Sequence, residues 1–469
     1  MSTVSGHSEM CSAQLFDRRR NRCLAFLFDC LVAKHSGSFS HSVGEAGRQA
    51  AHRLFGATRV TPKAMLSGHV AACVKRVLDE CPDDEYVVLP QDTSEANLTT
   101  LRKTKDLGPI GRGTGSGKGL EMHSALAVRE DGMPLGVVYL DIWARKPVPK
   151  GRTAKEKAKA KAAKPTSEKE SNKWLECLKQ VQALFPPEVK LLFLQDRESD
   201  EFDFFTAPRR PGTELIVRAA QARCVETRSE GPEAEATIST LFKAVRATKV
   251  LGTTTVTVSA NNDSKERTAV LEIRSCPAVL RVPTHSKADT DRTPQSVWLV
   301  SASEADPPAG AKRVDWTLIS TIPAPTFKDA CRIVGFYSRR WIIERLHYVL
   351  KSGLNAEGLR FDDAASLSNA LALYYMVAWR LLSITYLARI QPDQPASSSF
   401  GPEEIELLSF ESGKPVKTIS AAILAVAKMG GYVYYRSAAP PGVKTVWLGL
   451  RQLQQMLRGY RWRDPAGQM

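Results

Sequence analysis

The hydrophobic and polar positions along this chain follow three successive patterns. Residues 14–80 show a helical pattern, broken by a Gly/Ser stretch at 35–42 and restarted at Thr61-Pro62. Short apolar runs typical of strands follow, and from Thr213 to Trp316 β-branched runs alternate with turn residues. From Ala324 the pattern is helical to the end, apart from the run YVYYRS near Tyr432. The sequence therefore predicts an α/β protein with helical ends.

Two of the apolar runs stop at an aspartate. YVVLPQ precedes Asp92, and VKLLFLQ precedes Asp196. Neighbouring strands would bring these two carboxylates together, and a later helix with a glutamate on its polar face would add a third. An aspartate at the end of a single strand is most often a turn residue, so the prediction depends on the combination. This layout is that of an RNase H-like α/β core.

The later helix is predicted between residues 337 and 351. One face carries a phenol, a carboxylate and two cations: Tyr337, Arg340, Glu344 and Lys351. At about 100° per residue, their spacing places all four in one stripe about 60° wide, with Ile, Leu and Val residues on the opposite face. A carboxylate flanked by cations suits a site that holds a divalent metal ion and grips phosphate groups.

Charge and cysteine content narrow the class of protein. A formal net charge of +15 and a pI near 9.4 favour a polyanionic partner such as nucleic acid. Residues 145–173 hold eleven Lys or Arg and three Glu, and are predicted to be a solvated, disordered loop. Nine scattered cysteines without a C-x-x-C pair predict reduced thiols in the cytoplasm. The apolar stretch 367–390 contains Asn369 and Arg380, so it predicts a core helix and no membrane span.

Three segments of the chain closely resemble the DDE transposases of insertion-sequence family four. They are QDTSEANL after Pro90, LQDRESD around Asp196, and YSRRWIIERLHYVLK, which meets the family signature Y-(2)-R-(3)-E-(6)-K without a gap. LVAKHSG, AAHRLFG, EKESNKWL, ELIVRA and a MGGY…WLGL pattern extend the resemblance through most of the chain. The lysine-rich insertion before Glu168 departs from the family.

The resemblance implies a cut-and-paste reaction on DNA. Asp92, Asp196 and Glu344 would hold two Mg²⁺ ions, with Mn²⁺ able to substitute, for in-line phosphoryl transfer. Family members nick one strand, form a hairpin, reopen it and join the ends to target DNA.

The resemblance also assigns DNA-binding residues. Tyr337, Arg340 and Lys351 would grip phosphates near the scissile bond. Trp316 would stack on a base moved out of the helix, unless it is a buried strand residue. Arg218 would contact DNA, although a surface salt bridge is nearly as compatible. An N-terminal group would read the transposon ends, against the alternative of a solvated helix face: Arg22, Lys34, His35 and Arg53.

Three domains follow from these assignments. Residues 1–75 would form a helical DNA-end recognition domain. Residues 76–385 would form the catalytic domain, with a β-rich insertion at about 209–318 and the basic loop at about 145–170. Residues 386–469 would form a helical dimerisation domain, since the family forms homodimers on DNA through this region. Its repeat Val446, Leu450, Leu453 and Leu457 could pack on a partner helix or within the chain.

Two other functions are also compatible with the sequence. A metal-dependent nuclease would cut DNA without joining it to a target. A catalytically silent transposition inhibitor would bind DNA only. The presence of Asp92, Asp196 and Glu344 argues against a silent protein, and the N-terminal segment argues against an inhibitor that lacks it. The expected location is the bacterial cytoplasm, in association with the nucleoid.

Overall fold

The computed structural model describes residues 5–34, 38–111, 117–147, 153, 169–228, 235–258, 267–284, 291–435 and 440–463. The fold is mixed α/β, as predicted, and contains a large mixed sheet. Contacts between Cα atoms divide the chain into two compact units. The first unit comprises Met1–Cys81, Thr93–Pro149 and Ile342–Met469, and the second comprises Pro82–Asp92 and Lys150–Trp341. The predicted division into three domains remains a prediction, and most of the predicted basic loop lies outside the described residues.

The second unit is built on strands. Its elements, in chain order, are the first half of β1 (Tyr86–Asn97), α5 (Asn172–Gln182), β5 (Lys190–Gln195), α6 (Phe202–Thr206), β6 (Thr213–Arg218), β7 (Cys224–Arg228), β8 (Ala236–Thr240), α7 (Leu241–Ala247), β9 (Gly252–Val258), β10 (Arg267–Leu280), β11 (Gln295–Glu304), β12 (Asp315–Ser320) and α8 (Phe327–Ser338). Strands β1, β5 and β6 are parallel neighbours. The order then continues through β12, β11, β10, β7 and β8 in antiparallel pairs, and β9 also pairs with β10.

The strand that carries the first aspartate is longer than predicted. The prediction that it stops at Asp92 is wrong, because β1 continues to Asn97. Its first half is almost fully buried, whereas Asp92–Glu95 are only half-buried. The apolar run therefore ends in the middle of the strand, where one face reaches solvent, and not at the end of its hydrogen-bonded ladder.

The first unit is mainly helical. Its elements are α1 (Gly6–Met10), α2 (Arg18–Ala33), α3 (Phe39–Phe55), α4 (Pro62–Glu80), the second half of β1, β2 (Gly108–Pro109), β3 (Lys118–Val128), β4 (Pro134–Trp143), α9 (Trp341–Tyr348), α10 (Ala364–Ile390), α11 (Pro402–Ser412), α12 (Ile419–Met429) and α13 (Val443–Arg463). Strands β3 and β4 form an antiparallel hairpin. Among the described residues, α10 alone is long and apolar enough to cross a membrane, but 94% of its most apolar window is buried inside the protein. It is the core helix that the sequence predicted.

The C-terminal apolar repeat packs within the chain. Val446, Leu450, Leu453 and Leu457 of α13 are all buried, so this seam is intramolecular. Gly430 and Gly449 allow α12 and α13 to cross in backbone contact. A Cβ atom on Gly449 would lie 1.6 Å from the carbonyl oxygen of Val426, and one on Gly430 would lie 1.9 Å from that of Thr445. This seam is therefore already occupied within the chain. The homodimer remains a prediction.

A buried charged network joins α1 to α4 within the first unit. Glu9 is 1% exposed and accepts hydrogen bonds from Arg76, at 2.5 Å, and from Nδ1 of His69, at 2.6 Å. His69 is fully buried, and its Nε2 accepts from the backbone N–H of Val137. The Arg76 guanidinium also lies 4.5 Å from the ring centre of Trp379. The carboxylate therefore balances a cation that would otherwise be buried alone.

Replacing Glu9 with Gln should strongly destabilise the first unit. The change leaves Arg76 without its carboxylate, and removing one partner of a buried ion pair typically costs about 3–5 kcal/mol. Burial raises the pKa of Glu9, but His69 and Arg76 outweigh it and bring the pKa from 4.5 to about 2. Because the pKa of Glu9 is lower in the folded than in the unfolded chain, its ionisation stabilises the fold at pH values above 4.5. This contribution is lost as the pH falls from 4.5 towards about 2.

Urea unfolding followed by circular dichroism at pH 7 and pH 3 measures both effects. The Gln variant should lose most of this pH dependence along with the stability. Glu45→Gln is the matched control, since Glu45 forms an exposed ion pair with Arg48 and should leave the unfolding midpoint unchanged. Equal midpoints for the Glu9 variant and the unmodified chain would contradict the assigned role.

Candidate active site

Strand register brings the two predicted aspartates to the same level of the sheet. In the parallel pair of β1 and β5, Pro90 lies opposite Leu194, so two residues further along Asp92 lies opposite Asp196. In the next parallel pair Gln195 lies opposite Val217, and Arg218 follows Val217 at the end of β6. Carboxyl ends of parallel strands are the usual place for ligands in open α/β sheets. The second unit therefore places the two aspartates at the same edge of the sheet, with Arg218 on the neighbouring strand.

The two carboxylates influence each other electrostatically. Burial raises the pKa of Asp196, and the negative charge of Asp92 raises it further. The backbone N–H of Glu198, which donates to Asp196 Oδ1 at 2.8 Å, and the charge of Arg340 oppose this rise. A half-buried pair of like charges favours the binding of a cation between them.

A buried ion pair fixes the turn that presents Asp196, and the sequence analysis missed it. Asp200 is 1% exposed and accepts hydrogen bonds from the backbone N–H groups of Ala220 and Gln221, at 2.7 and 2.9 Å. It also accepts from Nε of Arg223 at 2.6 Å. The intervening residues Arg197–Ser199 form a single 3₁₀ turn. Asp200 thus ties this turn to the chain after β6, and the only sequence signal was a second aspartate four residues after the first.

Gln195 is a second residue that the sequence analysis missed. Its side chain is fully buried at the end of β5, on the opposite face from its neighbour Asp196. Within the described part of the chain, neither its amide nitrogen nor its amide oxygen has a hydrogen-bond partner. The same pair of letters, QD, ends both apolar runs in the sequence. That repetition could have indicated that a buried glutamine precedes each aspartate at this level of the sheet.

An aromatic and cationic cluster lies next to the aspartates. Trp316 packs edge-on against Tyr337, with ring centres 5.4 Å apart. Arg218 donates a hydrogen bond to the backbone carbonyl of Asp315 at 3.0 Å. Burial raises the pKa of Tyr337, and the charges of Arg340 and Arg218 oppose the rise. The cluster combines positive charge with aromatic surface in one part of the second unit.

Trp316 lies within the β-rich part of the second unit. It is the second residue of β12 and lies opposite Ala302 of β11, inside the sheet. Its side chain is half-buried, so it is not the fully buried core residue of the alternative interpretation. One part of the indole packs on Tyr337 and the rest reaches solvent, which leaves aromatic surface available for stacking.

The prediction that Tyr337, Arg340, Glu344 and Lys351 form a stripe on one continuous helix is wrong. Helix α8 ends at Ser338, and the N–H groups of Arg339 and Arg340 bond to carbonyls three residues back. Helix α9 begins at Trp341 and gives way to a π-helical segment, Val349–Gly353. A rotation of about 100° per residue applies only to a continuous α-helix, so the predicted angles do not hold across these breaks.

Burial separates the four residues of the predicted stripe. Tyr337 and Arg340 are 1% and 5% exposed and belong to the second unit. Glu344 and Lys351 are half-buried and belong to the first. The Arg340 guanidinium lies 5.0 Å from the ring centre of Trp341, and its charge opposes the rise in the pKa of Asp196. The interactions shown for Arg340 are therefore with neighbouring side chains. Binding of phosphate by these residues remains a prediction.

Three of the four predicted end-reading residues lie on or at the end of helices of the first unit. Arg22 on α2 and Arg53 on α3 are exposed, and Lys34 is half-buried at the end of α2. His35 lies outside the described residues. Exposed cations at these positions are compatible with DNA contact, which remains a prediction.

The chemistry of the aspartate pair fits a hard divalent cation. Mg²⁺ prefers carboxylate oxygens and is commonly held by one or two carboxylates together with substrate phosphates and water. In the part of the chain that the structure describes, no three His, Cys, Asp or Glu side chains form a group that could hold a metal ion. Asp92 and Asp196 could supply two ligands to such an ion, which would take its remaining ligands from phosphate, water or a further side chain. No protein-family model matches this chain.

Proposed function

We propose that this protein is a Mg²⁺-dependent DNA transposase with an RNase H-like core. The observation that carries the proposal is the Asp92–Asp196 pair beside a cluster of cations and aromatic rings. Such a pair suits metal-dependent phosphoryl transfer, and the cations suit a polyanionic substrate. Glu344 enters the proposal on the sequence resemblance alone, as the third carboxylate. Binding to transposon ends and target DNA, a homodimer on DNA and a nucleoid-associated location belong to the same proposal.

Each side chain of the candidate site in the second unit has a distinct role in this proposal. Asp92 and Asp196 would hold Mg²⁺, which when bound activates the attacking oxygen and stabilises the leaving one. Arg218 is half-buried beside Tyr337 and would bind a phosphate near the reacting bond. Arg340 would keep Asp196 charged and Tyr337 in place. The exposed part of the Trp316 indole would stack on a displaced base.

The decisive experiment uses DNA that flanks the gene. The purified protein should cut duplexes that carry inverted repeats from that DNA when Mg²⁺ is present, and should yield nicked, hairpin and released products on a denaturing gel. Joining of the released ends to a plasmid would separate a transposase from a nuclease. Binding without any cleavage would instead identify the silent inhibitor.

Replacing Trp316 with Ala should spare the first nick and slow hairpin formation. Stacking of an aromatic ring on a displaced base is worth ~1–3 kcal/mol, which corresponds to roughly a ten- to hundredfold slower hairpin step. Time courses of nicked and hairpin products on a denaturing gel measure both steps.

Trp316 also packs on Tyr337, so a control must keep that packing. Trp316→Phe retains an aromatic ring and should recover most of the hairpin rate. An equal loss of nicking and hairpin formation in the Ala variant would show that Trp316 serves the fold and not the displaced base.

A further inference from the structure

Helix α13 has a basic face opposite its buried apolar seam. Lys444, Arg451 and Arg458 recur every seven residues, which places them within about 40° of one another on an α-helix. Lys444 and Arg458 are exposed, and Arg451 is half-buried. At a rise of about 1.5 Å per residue, successive cations stand about 10 Å apart along the helix. The result is a row of positive charges along one side of a helix that is anchored by its other side.

The surrounding sequence does not neutralise this row. Residues 412–463 contain nine Lys or Arg and no Asp or Glu. Among the described residues, carboxylates of α11 contact α13. Glu404 accepts a hydrogen bond from Gln454 at 2.8 Å, Glu406 accepts one from Tyr460 at 3.1 Å, and Glu403 pairs with Arg461. Gln454 and Arg461 lie about 60–80° around the helix from the basic face. The α11 carboxylates therefore contact α13 at the flank of the basic face.

A cleft of about 380 Å³ opens beside the basic face, between the end of α12 and α13. The backbone of Gly430 and Gly431 lines one side, and Leu448, Arg451 and Gln455 line the other. The cleft combines an apolar surface with a guanidinium that can stack on a planar ring and an amide that can hydrogen-bond its edge. Its volume lies within the range of small-ligand sites, which is large enough for a nucleobase.

Two exposed tyrosines follow directly on the segment that lines the cleft. Tyr434 and Tyr435 are 58% and 61% exposed, and the Lys428 ammonium lies 6.0 Å from the Tyr434 ring centre. Adjacent exposed aromatic rings beside a cation are typical of surfaces that bind single-stranded nucleic acid, because bases stack on the rings while cations hold the phosphates.

We propose that these features form a second DNA-binding site, the C-terminal basic surface, defined by Lys428, Tyr434, Tyr435, Lys444, Arg451 and Arg458. Phosphates follow the cations of α13, and an unpaired base stacks on a tyrosine or enters the cleft. The choice of DNA rests on the proposed function, whereas the affinity for a polynucleotide rests on the surface alone. The homodimer of the proposed function would use other surfaces of this region, because a two-fold contact here would place the basic face against itself.

The test compares salt dependence in two triple variants of the full chain. The first carries Lys444→Gln, Arg451→Gln and Arg458→Gln. The second, with the same change of net charge, carries Lys179→Gln, Lys243→Gln and Lys249→Gln at exposed positions of the second unit. Fluorescence anisotropy with a labelled 20-nucleotide single strand of arbitrary sequence, in EDTA, gives the affinity at each salt concentration. The first variant should lower the slope of log affinity against log salt by about 2, since each lost phosphate contact removes about 0.7. The second should leave it unchanged.

A double variant tests the stacking contribution. Tyr434→Ala with Tyr435→Ala should weaken binding of the single strand by roughly fivefold or more and affect a fully paired duplex much less. A single strand that contains 2-aminopurine reports the same contact, because stacking on tyrosine quenches its fluorescence. Stronger binding of gene-flanking repeats than of arbitrary DNA would assign the site to transposon ends, and equal binding would assign it to target DNA.

Three results would overturn the inference. Equal losses of slope in the two triple variants would show that only overall charge matters. A change of oligomeric state by light scattering in the first variant, with an unchanged slope, would make the surface an interface between copies. A preference of more than tenfold for RNA of the same sequence would exclude DNA as the partner. A failure of the proposed transposase reaction is recognised separately, because it would abolish cleavage and leave this salt-dependent binding intact.

Discussion

Asp196→Asn is expected to reduce Mg²⁺-dependent DNA cleavage at least about a thousandfold. The substitution keeps the size of the side chain and an oxygen that can accept from the N–H of Glu198. It removes the charge that, with Asp92, would attract the cation. Loss of several kcal/mol of transition-state stabilisation corresponds to a factor of this size. Single-turnover cleavage on a denaturing gel measures it, and DNA binding in EDTA should be unchanged or tighter, because one negative charge is gone.

Glu201→Gln is the matched control for this change. Glu201 lies five residues further along the chain, is exposed, and stands directly before the short helix α6. Its replacement removes the same charge from the same neighbourhood without touching the aspartate pair, and cleavage should stay within about twofold of the unmodified protein. Retained cleavage in the Asp196 variant, or equal losses in both variants, would remove the central support of the proposal.

Glu344→Gln is the second change with a large expected effect. If Glu344 completes the carboxylate set, nicking, hairpin formation and strand transfer should all fall together by at least about a thousandfold, because the same set would serve every step. End binding should persist, since Arg22, Lys34 and Arg53 remain. A gel that resolves the three products measures all steps in one experiment.

Glu357→Gln is the control for Glu344. Glu357 Oε1 accepts a hydrogen bond from the backbone N–H of Asn97 at 2.8 Å, and the amide oxygen of glutamine can take over that bond. Activity should therefore remain near normal. The assignment of Glu344 is falsified if its Gln variant cleaves normally, or if the Glu357 variant is the one that loses cleavage.

The parts of the fold that the sequence predicted best are those that are buried on both faces. Strand β5 and the core helix α10 have nearly the predicted bounds, because continuous burial leaves a continuous apolar run. Asp196 stands directly after such a run and was placed correctly. The second half of β1 lacks this signal. Thr93, Ser94 and Glu95, which follow Asp92, are half-buried and polar, so the local pattern does not mark the continuing strand.

The parts that were missed depend on hydrogen bonds that periodicity does not encode. A change from α-helical bonding to a three-residue turn at Arg339 and Arg340, then to a π segment at Val349, leaves the order of polar residues intact while changing their directions. The pair of Asp200 and Arg223 joins positions 23 residues apart. A motif match identifies such residues. The directions of their side chains and their hydrogen-bond partners follow only from the folded backbone.

The buried position of Glu9 has a practical consequence for work with this protein. A chain shortened by its first ten residues would lose the carboxylate while keeping the fully buried His69 and Arg76, whose side chain is 14% exposed. We expect such a truncated protein to express poorly or aggregate, because a largely buried cation packed on Trp379 would be left without its carboxylate. Affinity tags and fusion partners therefore belong ahead of the intact N-terminal segment.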